Sequence, residues 1–286
     1  MQIKRLAVVG CGTMGSGIIQ VAATKGLEVV GVEGTRRQAE SARARLDEGL
    51  AATLGRGKIT AEQAEAASTR ATFTDNLDAI AGSDLVVEAV YEDVDLKKDV
   101  LGKIDKIVAP EAFIASNTST IPLVVLAAAT NRAPQVVGLH FFNPVAAMKL
   151  VEVIKTPVSE PDHVQAMVDF ARFLDKSPVV VNDVPGFVGN QLIVPYLLDA
   201  IRAYERGVAD MESIDDVIAL GFNHKMGPFR LSDLIGLDIV HDMAASMYEE
   251  YQDPRFVPPV LLKQYVRLGL LGRKTGRGFY TYEDAS

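Results

Sequence analysis

The fold of this chain is decided close to its N-terminus, where residues 5–22 read RLAVVGCGTMGSGIIQVA. The apolar run Leu6–Val9 is typical of a strand buried on both faces, and the pattern over Ser16–Ala22 is typical of a helix. Between them lies a turn with glycine at its first, third and sixth positions. Such glycines permit a tight bend, close approach of the backbone to a pyrophosphate, and close packing of helix on strand. The stretch therefore predicts a phosphate-binding turn at a helix N-terminus, with candidate residues Gly10, Gly12, Thr13, Met14 and Gly15.

A second strand pattern ends in a carboxylate, as a dinucleotide fold requires for binding the adenosine ribose. The run Leu27–Val32 predicts the strand, and Glu33 follows it directly. Glu33 would accept hydrogen bonds from the ribose hydroxyls and repel a 2′-phosphate, so we expect NAD, with NADP as the less favoured alternative. Arg36 and Arg37 follow closely enough to reach a phosphate on that ribose, although a solvated helix face is the favoured interpretation of both.

Composition bounds the possible partners. The 286-residue chain is 48% hydrophobic and has a net charge of −8. Its pI near 5.1 argues against nucleic acid as a partner. No apolar run is long enough to span a bilayer and no signal peptide precedes the first strand, so we expect a soluble, cytoplasmic protein without a membrane partner. The single cysteine, Cys11, excludes an internal disulfide, and with four histidines no metal-ligand cluster stands out.

Apolar runs alternate with helical periods up to a Pro-Gly pair, and only helical periods follow it. Further strands are predicted at 84–90, 112–116, 135–139 and 178–181, with helices such as 95–108 between the earlier ones. Helices after the pair are predicted at 187–205, 210–220, 231–251 and 259–268. This pattern predicts a Rossmann-type, doubly wound α/β sheet over residues 1–184, which would bind NAD, and an all-helical domain over residues 185–286, which would bind substrate.

A histidine and a glutamate form the candidate acid–base pair. His140 lies in LHFFNP, residues 139–144, just after a strand pattern and just before an Asn-Pro turn, where open α/β folds carry out chemistry. Glu152 ends a strand-like segment, MKLVE, at residues 148–152. Its carboxylate would accept the imidazole Nδ1–H and leave Nε2 to act as a general base. Taken alone, His140 is more typical of a buried structural histidine, but the dinucleotide motif favours catalysis.

Two polar segments are candidate substrate-binding sites. The run SNTST, residues 116–120, follows a predicted strand and offers donors for a substrate oxygen or a nicotinamide amide, although it also fits a helix N-cap. The run PGFVGNQ, residues 185–191, opens the helical domain and brings Asn190 into its first turn. A purely structural asparagine is equally compatible with that position.

Together these motifs resemble the short-chain L-3-hydroxyacyl-CoA dehydrogenase family, which includes bacterial 3-hydroxybutyryl-CoA dehydrogenases. The resemblance extends to GRKTGRGFY at residues 272–280 and includes MGPF at 226–229. It implies an NAD-dependent oxidoreductase that interconverts (S)-3-hydroxyacyl-CoA, such as 3-hydroxybutyryl-CoA, and 3-oxoacyl-CoA, such as acetoacetyl-CoA. It also implies roles for residues: His140 as catalytic base, Glu152 as its orienting partner, and Ser119 and Asn190 as ligands of the substrate's oxygens. The residues that it implies around the nicotinamide are Glu92, Lys97, Ser119, Asn143 and Lys274.

The resemblance has one departure, in the helical pair after the second strand. Where a relative has a serine that contacts CoA, this chain has Gly49. The pair nevertheless has six basic side chains, against the acidic Glu40, Asp47 and Glu48; the basic ones are Arg36, Arg37, Arg43, Arg45, Arg56 and Lys58. A basic stretch in an acidic chain suits the phosphates of a CoA thioester, with Arg56 and Lys58 as candidates and a solvated helix face as the alternative.

Two other functions stay open: a dehydrogenase of a free hydroxy acid or sugar acid, and a non-catalytic NAD-binding protein. The Phe141–Phe142 pair and the basic stretch favour an acyl-CoA substrate. We also expect a homodimer formed through the helical domain, because apolar stretches such as Leu192–Leu198 exceed what a domain of about a hundred residues readily buries alone.

Overall fold

The computed structural model describes residues 3–282. They separate into two compact units, one that ends at Val184 and one that begins at Pro185. The first two residues of the predicted N-terminal domain and the last four of the predicted helical domain lie outside the described residues.

The first unit is built on an eight-stranded sheet. Its strands are β1 (Arg5–Val9), β2 (Glu28–Val32), β3 (Ala71–Thr74), β4 (Leu85–Glu88), β5 (Phe113–Ser116), β6 (Val136–Phe141), β7 (Leu150–Lys155) and β8 (Ser177–Asn182). They lie in the order β3-β2-β1-β4-β5-β6-β7-β8. Strands β1 to β6 pair in parallel, and β7 is antiparallel to β6 and parallel to β8. The six parallel strands have the order of a Rossmann sheet, which confirms the predicted fold class.

The central strands are buried because their sequences are almost wholly apolar. Every residue of β4, β5 and β6 is buried, whereas β8, at the sheet edge, is mostly exposed. Strands covered by helices on both faces need such continuous apolar runs. The edge strand β3 was not predicted, because its four residues alternate too briefly to give a strand pattern.

Helices connect the strands of the first unit. They are α1 (Thr13–Thr24), α2 (Arg36–Gly55), α3 (Ala61–Arg70), α4 (Val94–Ile107), α5 (Leu123–Ala127) and α6 (Pro161–Phe173). Local sequence explains where several begin. The Thr35 side chain accepts a hydrogen bond from Gln38 N at the start of α2, and Thr60 and Gln63 form a reciprocal capping box at the start of α3.

The second unit is helical. Its helices are α7 (Gly189–Glu205), α8 (Met211–Gly221), α9 (Pro228–Ile235), α10 (Leu237–Tyr251) and α11 (Val260–Arg267). Its core includes Val194, Leu197 and Leu198, which have no exposed surface. The stretch Leu192–Leu198, predicted to supply a dimer surface, therefore largely fills the unit's own core, because its apolar positions follow the helical period inward. Leu192 alone in that stretch is strongly exposed, at 69%.

The single helix predicted over residues 231–251 is wrong. It is two helices, α9 and α10, that meet at Gly236, which has a φ of 106°. A Cβ at Gly236 would lie 2.9 Å from Asp238 Oδ1 and 3.1 Å from Lys274 Nζ. The positive φ requires glycine there, whereas the two nearby atoms are the ends of flexible side chains that can move aside. The apolar period continues across the break, so the pattern alone did not reveal it.

Among the residues that the structure describes, no helix is both long and apolar enough to cross a membrane.

Candidate active site

The predicted motifs meet at one edge of the sheet. The register pairs Val9 of β1 with Glu88 of β4, Glu88 with Ser116 of β5, and Ser116 with Gly138 of β6. The glycine turn follows β1, the polar run 116–120 follows β5, and His140 lies two residues beyond Gly138. All three therefore lie at the carboxyl ends of parallel strands, where open α/β sheets bind ligands.

The three glycines of the turn lie in different steric surroundings. Gly10 has a φ of 90°, and a Cβ there would lie 2.6 Å from Val90 N. A Cβ on Gly15 would lie 1.9 Å from the Gly10 carbonyl oxygen, so only glycine lets α1 start directly above the turn. At Gly12 the opposite holds, because a Cβ would meet nothing within 4 Å and would point into open space.

That open space fits a pyrophosphate. Helix α1 begins at Thr13 with no side-chain hydrogen bond capping its N-terminus and no acidic residue in its first turn. The N–H groups and the dipole at such a helix end attract an anion. Residues Thr13 and Met14 thus present backbone N–H groups at the start of α1, next to Gly12.

Glu33 lies against the same turn. Its Oε1 accepts a hydrogen bond from Cys11 N at 2.7 Å, and the Cys11 carbonyl accepts one from Arg45 Nη2 of α2 at 2.9 Å. The backbone N–H and the carbonyl group of Cys11 are therefore both bound by side chains, and these two hydrogen bonds fix the turn. Burial, assisted by the charge of Glu33, raises the pKa of the Cys11 thiol to about 12, so the thiol stays protonated near neutral pH. Arg36, beyond this contact, is 86% exposed and lies 3.4 Å from Glu40, as on a solvated helix face.

Strands β6 and β7 bring His140 opposite Glu152. The antiparallel register pairs the two residues directly, and His140 Nδ1 lies 2.7 Å from Glu152 Oε2. Both side chains are buried, with exposed fractions of 5% and 3%. The predicted strand ends are wrong here, since β6 continues through His140 to Phe141 and β7 continues past Glu152 to Lys155. Because β7 runs antiparallel to β6 in this register, the side chains of His140 and Glu152 lie side by side across the ladder.

The polar run after β5 surrounds a second carboxylate. Glu92 Oε1 accepts hydrogen bonds from Thr118 Oγ1 at 2.7 Å, Ser119 N at 2.7 Å and Thr120 N at 2.9 Å. Although burial alone would raise the pKa of Glu92, the charge of Lys97 and these hydrogen bonds together lower it. Glu92 therefore stays ionised and fixes the loop that carries Ser119.

Lys97 lies beneath this loop in a buried ion pair. Its Nζ is 2.7 Å from Glu88 Oε1 and 3.3 Å from Glu92 Oε2, and its side chain is 1% exposed. The other oxygen of Glu88 accepts a hydrogen bond from Ser116 Oγ at 2.5 Å. The predicted nicotinamide-side residues Glu92 and Lys97 are thus brought together, with Lys97 in a supporting position. Asn143 lies exposed just past β6, in a cis peptide bond with Pro144.

Three residues in this region were missed by sequence reasoning. Asp183 accepts hydrogen bonds from Leu123 N and Val124 N, both at 2.7 Å, and so caps α5, a role that the polar run 116–120 does not perform. Asn117 Oδ1 accepts a hydrogen bond from Phe141 N at 3.0 Å and ties the loop to β6. The sequence did contain a signal for Glu88, because an acidic residue within a buried apolar strand is unusual. For the other two, the partners are distant in sequence and give no local pattern.

The remaining predicted site residues belong to the second unit. Asn190 is buried in the first turn of α7, and its backbone N–H donates to Gly186 O at 3.1 Å. Lys274 Nζ lies 2.6 Å from Asp238 Oδ2, beside the break at Gly236.

Only part of the predicted basic stretch is available to a ligand. Arg43 donates to the carbonyl oxygens of Ser68 and Ala71, and Arg45 binds the glycine turn. Arg56 and Lys58, by contrast, are exposed at the turn that follows α2. The count of basic residues overstated the number of side chains that can bind a ligand, because the guanidinium groups of Arg43 and Arg45 donate to backbone carbonyl oxygens of neighbouring segments.

The glycine turn, Glu33 and the strand order define a dinucleotide-binding protein of the Rossmann class. The family model of the 3-hydroxyacyl-CoA dehydrogenase NAD binding domain matches residues 5–184, and that of the 3-hydroxyacyl-CoA dehydrogenase C-terminal domain matches residues 186–282. The chain therefore belongs to the 3-hydroxyacyl-CoA dehydrogenase family, as the motifs predict. Its cofactor is accordingly a nicotinamide dinucleotide.

Individual relatives agree with this family over nearly the whole chain. A 3-hydroxybutyryl-CoA dehydrogenase of Mycobacterium tuberculosis is 44% identical over 98% of this chain and 99% of its own. Among solved structures, FadB2 of M. tuberculosis is similar with a TM-score of 0.96 and 43% identity, over 99% of this chain and 100% of that one. The (S)-3-hydroxybutyryl-CoA dehydrogenase PaaH1 of Ralstonia eutropha is similar with a TM-score of 0.93 and 38% identity, again over 99% and 100%.

Proposed function

We propose that this protein interconverts (S)-3-hydroxybutyryl-CoA and acetoacetyl-CoA, with His140 as the general acid–base and NAD as the cofactor. The observation that carries the proposal is the 2.7 Å hydrogen bond between His140 Nδ1 and Glu152 Oε2, at the sheet edge that also bears the glycine turn. The names of the most similar relatives support the substrate.

His140 and Glu152 supply the proton transfer. With Nδ1–H directed at Glu152, Nε2 of His140 takes the proton of the 3-hydroxyl group in the oxidative direction and returns it in the reductive one. Glu152 stabilises the imidazolium that forms. A nicotinamide held at this sheet edge would supply the acceptor for the hydride that leaves C3 of the substrate. Ser119 binds the reacting oxygen and Asn190 the thioester carbonyl, which orients C3.

Glu33 selects NAD over NADP. Its carboxylate already lies against the turn through Cys11 N, where it would meet the ribose hydroxyls and repel a 2′-phosphate. The cofactor-binding set that we propose is Gly10, Gly12, Thr13, Met14, Gly15, Glu33, Glu92, Lys97, Ser119, Asn143 and Lys274.

The CoA phosphates bind at Arg56 and Lys58. These two side chains are exposed, unlike Arg43 and Arg45, whose guanidinium groups hold the fold. Residues 1–184 then bind NAD, while residues 185–286 contribute to the substrate site and form a homodimer.

Steady-state kinetics test this proposal. Rates with 3-oxoacyl-CoA substrates of C4 to C16 chains, each with NADH and NADPH, should be highest for acetoacetyl-CoA with NADH. Free acetoacetate is the control that separates an acyl-CoA dehydrogenase from a dehydrogenase of free acids. Faster turnover of acetoacetate would favour the second, and NADH binding without turnover of any substrate would indicate a non-catalytic protein.

A further inference from the structure

A buried lysine binds the connection between the two strands of the His140–Glu152 pair. Lys176 lies between α6 and β8 and is 9% exposed. Its Nζ donates to the carbonyl oxygens of Val145, at 2.5 Å, and Met148, at 2.8 Å. Both acceptors belong to residues 142–149, which join β6 to β7 and which we call the hairpin connection.

The hairpin connection depends on this ammonium group. Its own backbone forms one helical turn, in which Ala147 N and Met148 N both donate to Pro144 O at 3.0 Å. The last carbonyl groups of such a turn have no donor within it. Lys176 supplies donors to two carbonyl groups at once, and hydrogen bonds from a charged donor are roughly twice as strong as neutral ones.

The position of Lys176 is fixed by its neighbours. Its backbone N–H donates to Ala171 O of α6 at 3.0 Å, and Ser177 N donates to Lys149 O at 2.8 Å where β8 begins to pair with β7. On the far side of the hairpin connection, Val145 is 3% exposed and packs against Gly17 of α1, where a Cβ would lie 2.8 Å from Val145 Cβ. The connection is therefore held between the lysine and the cofactor-binding helix.

Burial removes hydrating water from the ammonium group of Lys176, so hydrogen bonds within the protein must replace that hydration. Burial, with a further contribution from the charge of Lys149, lowers the pKa of Lys176. The two carbonyl acceptors provide the compensation, since a buried charge is tolerated where its hydrogen bonds are satisfied.

We propose that Lys176 is a positioning residue for the dehydrogenase reaction, because it fixes the hairpin connection and so holds His140 in register with Glu152. The inference rests on the proposed function, since it concerns the rate of that reaction. Lys176 acts through the backbone of residues 145–148 and contacts no reacting atom.

Substitution of Lys176 tests the proposal by separating kcat from cofactor binding. Lys176→Met removes both hydrogen bonds and keeps the apolar stem. We expect kcat with acetoacetyl-CoA to fall about tenfold or more, since displacements of about 1 Å can cost about 100-fold in rate. The Kd for NADH should change much less than kcat, because Asn143 is the one proposed cofactor ligand in the hairpin connection, while Glu33 and Arg45 hold the glycine turn independently. Lys176→Arg should restore kcat to within about threefold. Lys155→Met, at the other end of β7, is the matched control and should keep wild-type kinetics.

Hydrogen exchange provides a readout that needs no substrate. Amides of residues 147 and 148 should exchange faster in Lys176→Met than in the wild type, and at near wild-type rates in Lys176→Arg. If the wild type does not turn over acetoacetyl-CoA, the proposed function fails while this measurement still decides whether Lys176 holds the connection.

Two results would overturn the proposal: wild-type kcat in folded Lys176→Met, or unchanged exchange at residues 147 and 148. Should Lys176→Met not fold, Lys176→Gln, which keeps a neutral donor, decides in its place. A lowered kcat with faster exchange in Lys176→Gln supports the role, and wild-type values of both refute it.

Discussion

At the residue scale, the partner of an imidazole decides what the imidazole can do. A carboxylate on Nδ1 fixes the tautomer whose Nε2 accepts a proton, and it stabilises the charged ring that results. His140 has this partner because the register of β6 and β7 sets Glu152 opposite it. His163 offers a comparison within the same chain, since its Nδ1 lies 3.0 Å from Glu160 Oε2 without forming a hydrogen bond. It lines a cavity with Lys4, Glu28 and Gln135, at the opposite ends of the strands from the glycine turn.

Replacing the base tests its role directly. His140→Gln removes the proton acceptor, so kcat should fall by about two or more orders of magnitude, the usual contribution of a general base. The Kd for NADH, measured by fluorescence titration, should change little. His241→Gln, which replaces a partly exposed histidine in α10, is the control. A kcat near that of the wild type in His140→Gln would refute the assignment.

Replacing the carboxylate tests the pair. Glu152→Gln keeps the shape of the side chain and removes the charge that stabilises the imidazolium. A loss of about 1.4 kcal/mol of that stabilisation would lower kcat about tenfold. Glu160→Gln is the matched control, because it alters the other His–Glu pair, and it should keep the wild-type kcat. Full activity in Glu152→Gln would show that the two residues are uncoupled.

The proposed preference for NAD rests on a third carboxylate, that of Glu33. We expect the wild type to prefer NADH over NADPH by at least about tenfold in kcat/KM, or about 1.4 kcal/mol, because Glu33 repels a 2′-phosphate. Glu33→Ser should narrow or reverse the preference, since Arg36 and Arg37 remain. Glu40→Ser, at an exposed position of α2, should leave it unchanged. A wild type that already uses NADPH better would assign the selectivity to the arginines.

Side chains at the site were predictable where the chemistry is local in sequence. Glu33 directly follows a strand, and His140 and Glu152 lie twelve residues apart in one hairpin. Asp183 caps α5 from sixty residues away, and no pattern within either segment contains that information. The same limit explains Arg43 and Arg45, whose charge was visible in the sequence and whose backbone partners were not.

At the element scale, the unit from β1 through the glycine turn to α1 was predictable because each part has a strict steric requirement. The exact ends of β6 and β7 were not, since an apolar strand pattern does not mark where a strand stops. Nor was the break between α9 and α10, because Gly236 interrupts the backbone without interrupting the apolar period. The sequence thus predicted the presence of helices and strands better than their ends and the breaks between them.

Two glycine substitutions in the turn should affect different properties: Gly15→Ala should lower stability, and Gly12→Ala should weaken NADH binding. Gly15→Ala brings a Cβ to 1.9 Å from the Gly10 carbonyl oxygen, so the chain must shift, at a cost of about 1–3 kcal/mol or more. Gly12→Ala meets no protein atom, so the melting temperature should stay close to that of the wild type while NADH binding weakens by about tenfold or more. Thermal melts and NADH titrations measure both. Normal NADH affinity in Gly12→Ala would mean that the pyrophosphate lies elsewhere.

At the scale of the whole molecule, apolar surface is distributed unevenly over the second unit. Helix α8 buries a single residue, Asp215, and three apolar side chains along and just after it are strongly exposed. Val217 is 61% exposed, Leu220 82% and Phe222 68%. The sequence predicts a dimer surface from apolar stretches such as Leu192–Leu198, but the apolar stripe of α7 lies in the core of the second unit. Single exposed apolar residues are ordinary, but three within six positions indicate a contact surface.

The last prediction is that this face of α8 forms part of a two-fold dimer interface. Two-fold homodimers are the commonest soluble assemblies, and a self-complementary contact would cover Val217, Leu220 and Phe222. Sedimentation velocity at micromolar concentration should therefore show a dimer. Leu220→Asp should shift it toward monomer, because each interface would then bury two unpaired carboxylates. Leu268→Asp is the matched control, since Leu268 is 71% exposed just after α11, and it should leave the dimer intact. A wild type that sediments as a monomer would refute the dimer, and a dimeric Leu220→Asp would assign the interface to another face.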